Sequence, residues 1–494
     1  MSTINLSDYQ FGLDNQVNFG GHSSPEDLEN LNKALAAGSI TGRETTNLTT
    51  ASGSPLKVES LEKTLKVLTF SEKQIVFWQN IPKMPAFNTV EEYNQLTSYG
   101  QDRGGFNNEG ELPVEEDSTF VRRAQYVKYL GTTRSVTHPM TLVNTMVGNA
   151  IDLEAKNGTM WILRKLERAL FTGNADVVPQ EFNGIISQHA QNDAFTTLND
   201  YYDSEVVVDL RGGALTESSI EDAANGIVQN FGIGTDLYAP PKVLSDFVKG
   251  FYGNKFIQPN TQALTDGVMG QRVKSFESQF GNINLNHDIF LNAPAPKKST
   301  TGATHTSAPL APTAVSVTPV SSDVSGKFAS TDAGNYYYAV VALNKFGESA
   351  VTVLNSGAIS AIVAGGAADL AFTDNASANP TTGFRIFRSQ KGAPTVAAAN
   401  FYPIFDISVA QKAAGYDGAA AAAVRDRNRY MTNVNQAFLI QQDEQILAFK
   451  QLAPLMKMDL SITGPAFRFM MLLYGTPFLY APKKMVRFIN IGNA

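Results

Sequence analysis

The chain has 494 residues, of which 43% are hydrophobic and 17% are charged, and its formal net charge is −7. These proportions are typical of a globular protein of about three domains, and the negative charge argues against a dedicated nucleic-acid-binding surface. The absence of cysteine excludes disulfides and thiolate metal sites. The sequence contains no run of about 20 apolar residues, so no membrane span is predicted. Its first residues do not predict a secretory signal either.

The beginning of the chain is predicted to be an arm followed by the start of a folded core. Residues 1–60 are rich in Asn, Ser, Gly and Thr and poor in apolar clusters, which is typical of an extended N-terminal arm. Residues 61–97 are predicted to start the core, because the spacing of Leu61, Leu65 and Leu68 favours a helix.

Residues 98–137 are predicted to form a long two-stranded arm. The stretch from residue 101 to residue 118 is polar and rich in glycine and acids, so it lacks the apolar periodicity needed for a core of its own. The segment TFVRRAQYVKYLGTTRSV that follows alternates in polarity and predicts one strand from Thr119 to Val136, which carries the loop outward.

The charges of this arm are segregated along the chain. If copies of the protein overlap, the acids of one arm can pair with bases of a neighbour, and each exposed pair would contribute only roughly 0–1 kcal/mol. The candidate intersubunit contacts are six acids in the loop, Asp102, Glu109, Glu111, Glu115, Glu116 and Asp117, and four bases after it, Arg122, Arg123, Lys128 and Arg134.

A long helix is predicted within residues 138–214, and a mixed α and β unit within residues 215–292. The helix should end at Gly173. In the second unit, Thr216 is a predicted helix cap, and the helix is expected to bury an apolar face made of Ile220, Ala224, Ile227, Val228 and Phe231. The apolar face of the long helix comprises Met146, Ala150, Leu153, Met160, Leu163, Leu166 and Leu170.

The composition changes after Asn292. Residues 293–308 are rich in Pro, Ser and Thr and predict a linker, and residues 309–430 contain short alternating strands typical of a small immunoglobulin-like sandwich. Residues 431–494 return to the mixed character of the core. Because the flanking parts are incomplete alone, we expect the sandwich to be an insertion whose ends lie close together.

No catalytic, cofactor or metal site is predicted. The sequence contains no G-x-S-x-G, P-loop or H-E-x-x-H motif, and the stretch Phe231-Gly-Ile-Gly-Thr-Asp lacks the third glycine of a dinucleotide fingerprint. Acids of the loop would stay solvated, so they lack the desolvated environment that a catalytic carboxylate needs. Solvated or capping roles are expected for the five scattered histidines, His22, His138, His189, His287 and His305.

The acidic loop is flanked by the segments LEKTLKVLTFSEKQIVFWQNIPK and FVRRAQYVKYLGTTRSVTHPMTLV. Together these parts resemble major capsid proteins of tailed double-stranded-DNA bacteriophages. The resemblance implies an α+β fold of the Hong Kong 97 type, built from an N-terminal arm, an extended E-loop, a spine helix, a peripheral P-domain and an axial A-domain. It implies an E-loop within Ser98–Leu130, a spine helix within Met140–Phe171 and most of the A-domain within Leu215–Leu291.

The resemblance also implies a structural protein of the virion, assembled in the host cytoplasm as hexamers and pentamers into an icosahedral head. Implied partners are further copies of itself, portal, scaffold and decoration proteins, and packaged double-stranded DNA by non-specific contact. Residues 309–430 are expected to project outward and either to thicken local contacts or to touch glycans or a host surface. Neither a membrane nor a cofactor is expected. The loop from residue 101 to residue 118 contains no lysine, so covalent cross-linking of the shell is not expected.

Two other functions stay open at this point. A modular adhesin or tail-fibre-like protein is suggested by the sandwich, but it would require repeated β modules and only one is visible. An unrecognised hydrolase would require a pocket of perturbed groups, which the sequence does not indicate.

Overall fold

The computed structural model describes residues 69–100, 106–143, 148–191, 195, 197–252, 273–357, 360–375, 379–461 and 464–492. The predicted N-terminal arm, the helix predicted around Leu61–Leu68 and Asp102 lie outside these residues. The α-helices of the described chain are α1 (Phe77–Asn80), α2 (His138–Leu142), α3 (Ala150–Thr172), α4 (Ile185–Ala190), α5 (Leu198–Tyr202), α6 (Glu217–Gln229), α7 (Pro241–Tyr252) and α8 (Val409–Ala414).

The strands outnumber the helices and divide into those of the core and those of the inserted block. The core strands are β1 (Lys83–Pro85), β2 (Val90–Ser98), β3 (Thr119–Tyr126), β4 (Lys128–Thr137), β5 (Val207–Asp209), β6 (Asp236–Ala239), β7 (Ser275–Ser278) and β8 (Gly281–His287). The inserted strands are β9 (Thr313–Val320), β10 (Gly334–Tyr336), β11 (Tyr338–Asn344), β12 (Gly347–Glu348), β13 (Thr352–Val353), β14 (Ser360–Ile362), β15 (Ala367–Thr373), β16 (Gly383–Ser389), β17 (Phe401–Ser408) and β18 (Ala423–Asp426). The core resumes with β19 (Asn435–Ile440), β20 (Leu447–Asp459), β21 (Ala466–Leu479) and β22 (Met485–Ile491).

The long helix α3 packs on a four-stranded sheet of order β1-β20-β21-β4. The side chain of Asn149 caps the helix by accepting a hydrogen bond from the amide of Ile151 at 3.0 Å. On the buried face, Ile162, Leu166 and Leu170 are fully enclosed between helix and sheet. Each such side chain contributes roughly 1.5–3 kcal/mol, so this layer forms a large part of the core.

The structure differs from the predicted boundaries in this layer. The strand predicted from Thr119 to Val136 is two strands, because the chain changes partner at the buried residue Val127: β3 pairs with β2, and β4 pairs with β21. The outgoing strand of the arm already starts at Val90. The spine helix starts at Ala150 and not near Met140, since the separate short helix α2 precedes it.

A second layer packs α6 and α7 on a six-stranded sheet of order β5-β22-β19-β6-β8-β7. Thr216 caps α6 as predicted, and it forms a capping box with Ser219. Ile220, Ala224 and Ile227 are buried as predicted. Phe231 is an exception: it lies beyond the helix end with φ of 60° and is 92% exposed, so its assignment to the buried face is wrong.

The inserted block contains a five-stranded sheet around β11 and β16, a three-stranded sheet of order β18-β15-β9 and the pair β10-β14. Side chains from these sheets enclose an apolar cluster that includes Val340, Leu370, Phe384 and Ile407. The amide of Ala293 donates a hydrogen bond to Oδ1 of Asn435 at 3.3 Å, so the chain leaves and re-enters the core at neighbouring points.

Residues 293–308 are not the free linker that their composition suggests. Lys297 forms an antiparallel bridge with Phe401, and its ammonium pairs with the carboxylate of Glu348. The amide of Thr304 donates to the carbonyl of Glu348 at 3.0 Å. Proline and threonine suit the edge of a sheet as well as a linker, so composition alone did not distinguish the two.

Polar contacts join the inserted block to the core. Arg211 donates to the carbonyls of Asn428 at 2.9 Å and of Lys327 at 2.6 Å. The hydroxyl of Tyr202 donates to that of Tyr430 at 2.7 Å. The block is therefore held against the core by side chains and is not only tethered by its two ends.

Candidate assembly interface

Strands β2 and β3 form a projecting antiparallel hairpin, which is the arm predicted from the sequence. Leu96 pairs with Phe120 and Ser98 pairs with Thr119, with a shift in register between the two pairs. Side chains of β2 and β3 interact across the hairpin: Arg122 lies 3.4 Å from the carboxylate of Glu92. The described part of the loop between its strands, residues 106–118, is exposed throughout.

The base of the arm is fixed to the four-stranded sheet. The carboxylate of Glu91 accepts hydrogen bonds from the amides of Phe87 at 2.8 Å and Asn88 at 2.9 Å, and it pairs with the ammonium of Lys450 at 2.9 Å. Burial raises the pKa of Glu91, but Lys450 and the two amides outweigh it, so the pKa lies below its ordinary value. The ring of Tyr93 packs edge-on against Phe478.

The tip of the arm, residues 106–118, makes little contact with the rest of its own chain. Every residue from 106 to 120 is exposed. Burial of apolar side chains is favourable, so an exposed apolar surface of this kind marks a site of interaction. The exposed apolar side chains of this stretch are Phe106, Leu112, Val114 and Phe120.

The predicted acids and bases occupy different parts of the arm. Glu109, Glu111, Glu115, Glu116 and Asp117 are all exposed at the tip. One of them, Glu111, accepts hydrogen bonds from the amide and the side chain of Asn108, at 3.2 and 2.9 Å. The carboxylates thus present a concentrated negative surface at the end of the hairpin.

The four predicted bases have partners in their own chain. Besides the pair of Arg122 with Glu92, Arg123 donates to Oε1 of Gln95 at 3.1 Å. Lys128 donates to the carbonyl of Pro179 at 2.6 Å, and Arg134 lies 3.6 Å from the carboxylate of Glu154 on α3. These contacts link β3 to the opposite strand β2, and β4 to the core.

A buried pair of acids, Glu167 on α3 and Asp288 after β8, was not predicted from the sequence. Both side chains are completely buried, and Glu167 accepts hydrogen bonds from the amides of Phe77 at 2.7 Å and Trp78 at 2.9 Å. Burial, followed by the negative charge of Asp288, raises the pKa of Glu167 to about 8. Burial also raises the pKa of Asp288, to about 6. The position of Glu167 was the signal in the sequence, because a charged residue there interrupts the apolar face that Leu163, Leu166 and Leu170 form.

His189 was also misjudged, because it is neither solvated nor a cap. Its ring is fully buried, with Nδ1 2.8 Å from the hydroxyl of Tyr201 and Nε2 3.0 Å from the carbonyl of Met485. Burial lowers its pKa to about 3. Both ring nitrogens are occupied by protein partners, so His189 joins α4 to β22.

A metal site or a membrane span would each require a recognisable feature of the described residues. Among the described residues, no group of three or more His, Asp or Glu side chains is placed to hold a metal ion. Within the same residues, no helix has the length and apolar character needed to cross a membrane.

Comparison with known proteins identifies the family. A family model described as SU10 major capsid protein matches residues 41–308, which is more than half of the chain. This chain belongs to the SU10 major capsid protein family. It is 25% identical over 454 residues to the major capsid protein of Staphylococcus phage S25-3, covering 88% of this chain and 90% of that one, and the same values hold for Staphylococcus phage K. Similar solved structures include the capsid of an empty GTA particle, with 9% identity, coverage of 90% and 98%, and a TM-score of 0.46.

This capsid protein is a structural protein of the virion shell of a bacteriophage. The predicted family, its α+β capsid fold and its structural role are confirmed by the family match and by the described order of hairpin, long helix and sheets. The adhesin alternative finds no support. The immunoglobulin-like identity of the inserted block stays a prediction.

Proposed function

We propose that this capsid protein self-assembles as hexamers and pentamers into an icosahedral head that encloses packaged double-stranded DNA, with the hairpin β2-β3 acting as an E-loop over the neighbouring subunit. The observation that carries the proposal is the exposed tip of the arm. Phe106, Leu112 and Val114 are exposed in a single chain. A neighbouring copy would bury them, and repetition around a shell would add many weak contacts into a stable container.

The role of the shell is structural, with no catalytic step. Further partners in the proposal are portal, scaffold and decoration proteins, together with DNA bound without sequence preference through its phosphates. The inserted block would face outward and contact glycans or a host surface. No covalent cross-links between subunits are proposed, because the loop from residue 101 to residue 118 contains no lysine.

The test is negative-stain electron microscopy of the purified chain after sedimentation, followed by a denaturing gel of the same particles. Polyhedral shells, or sheets and tubes of sixfold rings, are expected, together with a single band at the monomer mass of 53.4 kDa. A discrete monomer, dimer or trimer at every salt concentration would contradict self-assembly. A ladder of linked subunits would contradict only the absence of cross-links.

A further inference from the structure

The two buried acids, Glu167 and Asp288, lie where the two core layers meet. Glu167 is on the long helix α3 of the first layer, and Asp288 directly follows strand β8 of the six-stranded sheet. Both side chains are fully enclosed. Within the described part of the chain, no base forms an ion pair with either acid. Their charge is therefore not neutralised by a salt bridge.

Backbone amides satisfy three of the four carboxyl oxygens of the pair. Oε1 of Glu167 accepts a hydrogen bond from the amide of Phe77 at 2.7 Å, and Oε2 accepts one from the amide of Trp78 at 2.9 Å. Oδ1 of Asp288 accepts one from the amide of Phe290 at 2.8 Å. The fourth oxygen, Oδ2 of Asp288, is buried without a hydrogen-bond partner among the described residues. An oxygen left in this state destabilises the fold, so a donor is required beside it.

A proton on one of the two carboxyls supplies that donor. Glu167 and Asp288 act on each other through their charges and through their side-chain oxygens, so the two carboxyls are neighbours. Two ionised carboxylates only accept hydrogen bonds and repel each other, whereas a protonated carboxyl donates to an ionised one. Burial raises the pKa of both groups, which favours the protonated form. The pair therefore retains a proton at neutral pH.

The titratable groups that surround the pair are Tyr238 on β6, Lys83 on β1 and His287, which precedes Asp288. Burial raises the pKa of Tyr238, so its hydroxyl stays neutral. The ammonium of Lys83 acts on Glu167 through its charge, but it donates to a backbone carbonyl at 2.8 Å and not to the carboxyl. His287 is exposed. The other elements of this cluster present apolar side chains: Phe77 of α1, Phe438 of β19 and Phe449 of β20.

We propose that Glu167 and Asp288 share one proton and so form a joint between the long helix and the second core layer, which opens when that proton is lost. Glu167 holds the first amides of α1, and Asp288 holds the turn Ile289–Leu291 after β8, so the pair fastens both segments to α3. Loss of the proton leaves two adjacent negative charges in an apolar environment, and opening lets water reach them. The joint is a property of the single chain and does not depend on the proposed assembly.

The direction of the pH effect follows from the protons that each state binds. In the closed joint the pKa of Glu167 is about 8 and that of Asp288 is about 6, above the ordinary values of 4.5 and 3.8. The closed joint therefore binds more protons than an open, solvated one, so acid pH favours the closed form. Between about pH 6 and about pH 8 opening releases one proton and becomes about tenfold more favourable for each pH unit. Above that range the effect levels off.

Hydrogen exchange of the unassembled protein, followed by mass spectrometry, measures the opening. The amides of Trp78 and Phe290 both donate to the pair, so their protection factors report on the joint. These factors are expected to fall by about tenfold or more between pH 6 and pH 8. At pH 8 they should be smaller than those of α6, whose amides do not contact the pair. Unchanged protection at both amides, or protection equal to that of α6 at every pH, would overturn the inference.

The variant Asp288→Asn supplies a permanent donor at the unpartnered oxygen. Its amide nitrogen replaces Oδ2 and donates to Glu167, and its remaining oxygen still accepts from Phe290. Protection should therefore change by less than about threefold over the same pH range. The matched control is Asp222→Asn, the same change at an exposed acid of α6, which should keep the full response. A response of Asp288→Asn equal to that of the unaltered protein would overturn the inference.

Two further comparisons separate the pair from its surroundings. Glu167→Gln cannot ionise at this position and should also show a reduced response, so it serves as the second variant if Asp288→Asn does not fold. Lys83→Met and His287→Gln remove the two neighbouring bases and should retain the response of the unaltered protein. Loss of the response in either of them would assign the pH effect to that base and overturn the proposed joint.

Discussion

Glu167 shows how one buried residue couples the stability of this fold to pH. An unfolded glutamic acid titrates near its ordinary pKa of 4.5, whereas burial and then Asp288 raise the pKa of Glu167 to about 8 in the folded chain. Between these values the folded protein binds more protons than the unfolded one. The stabilisation is therefore fully present below about pH 4.5 and is lost as the pH rises through about 8. Asp288, with a raised pKa of about 6, acts in the same direction.

We predict that Glu167→Gln weakens this pH dependence. Glutamine is a neutral analogue of the protonated acid, so the variant has no carboxyl to ionise at this position. The thermal midpoint of the unassembled protein should fall from about pH 6 to about pH 9, and it should fall less in the variant. Differential scanning fluorimetry over this range measures both slopes.

The matched control is Glu154→Gln, on the same helix, where the carboxyl is only partly buried and pairs with Arg134 at 3.6 Å. Its slope should follow that of the unaltered protein. Equal slopes in the unaltered protein and in Glu167→Gln would contradict a role for this carboxyl.

Among the elements, the pairing of β20 with β21 depends on one glycine. A Cβ atom at Gly475 would lie 2.3 Å from Cε1 of Phe449 and 2.7 Å from the carbonyl oxygen of Lys450. Phe449 is part of the buried layer beneath α3. The close approach of the two strands therefore requires a residue without a side chain.

We predict that Gly475→Ala destabilises the unassembled protein by about 1–3 kcal/mol, because the methyl group forces the ring or the strand to shift. Urea denaturation followed by tryptophan fluorescence measures the change. Gly464→Ala is the control, since nothing lies within 4 Å of its Cβ position. A denaturation midpoint of Gly475→Ala equal to that of the control would show that the sheet accommodates the methyl group without cost.

Sequence patterns predicted some elements well and others not. Thr216 and the acids after it predicted α6, because a cap is a contact between residues three apart. The change of strand partner at Val127 could not be predicted from such local contacts. Strand pairing depends on which distant segment is adjacent, and β21 lies more than 300 residues further along the chain.

For the molecule as a whole, polar contacts hold the inserted block against the core. Arg211 of the core donates to two carbonyls of the block, and Asn199 donates to the hydroxyl of Ser325 at 2.8 Å. Lys327 of the block forms an ion pair with Asp203. These contacts cross between segments that are far apart in the sequence.

We predict that replacing residues 293–429 by a short Gly-Ser loop leaves a folded core that is less stable by about 3 kcal/mol. This figure assigns about 1 kcal/mol to each of the three partly buried hydrogen bonds that Arg211 and Asn199 would lose. The proximity of Ala293 and Asn435 allows a short loop to close the gap. Urea denaturation of both unassembled chains measures the difference. An unchanged free energy of unfolding would contradict a stabilising role of these contacts. A separate assay of shell formation by the same variant shows whether the block is peripheral to assembly.

The sequence by itself determined the family, the order of the parts and the segregation of charge along the arm. These features are local, since periodicity, caps and charge runs are set by residues close together in the chain. It also indicated that the loop from residue 101 to residue 118 forms no core, because that loop has no apolar periodicity.

Only the tertiary structure decided which partners these residues meet. It showed that the bases of β3 and β4 are already paired, that residues 293–308 belong to the inserted block, and that Glu167 and His189 are buried. The physical reason is that burial and pairing depend on contacts between distant segments. Whether a given residue is buried or exposed, and what it pairs with, is set only when those segments pack together.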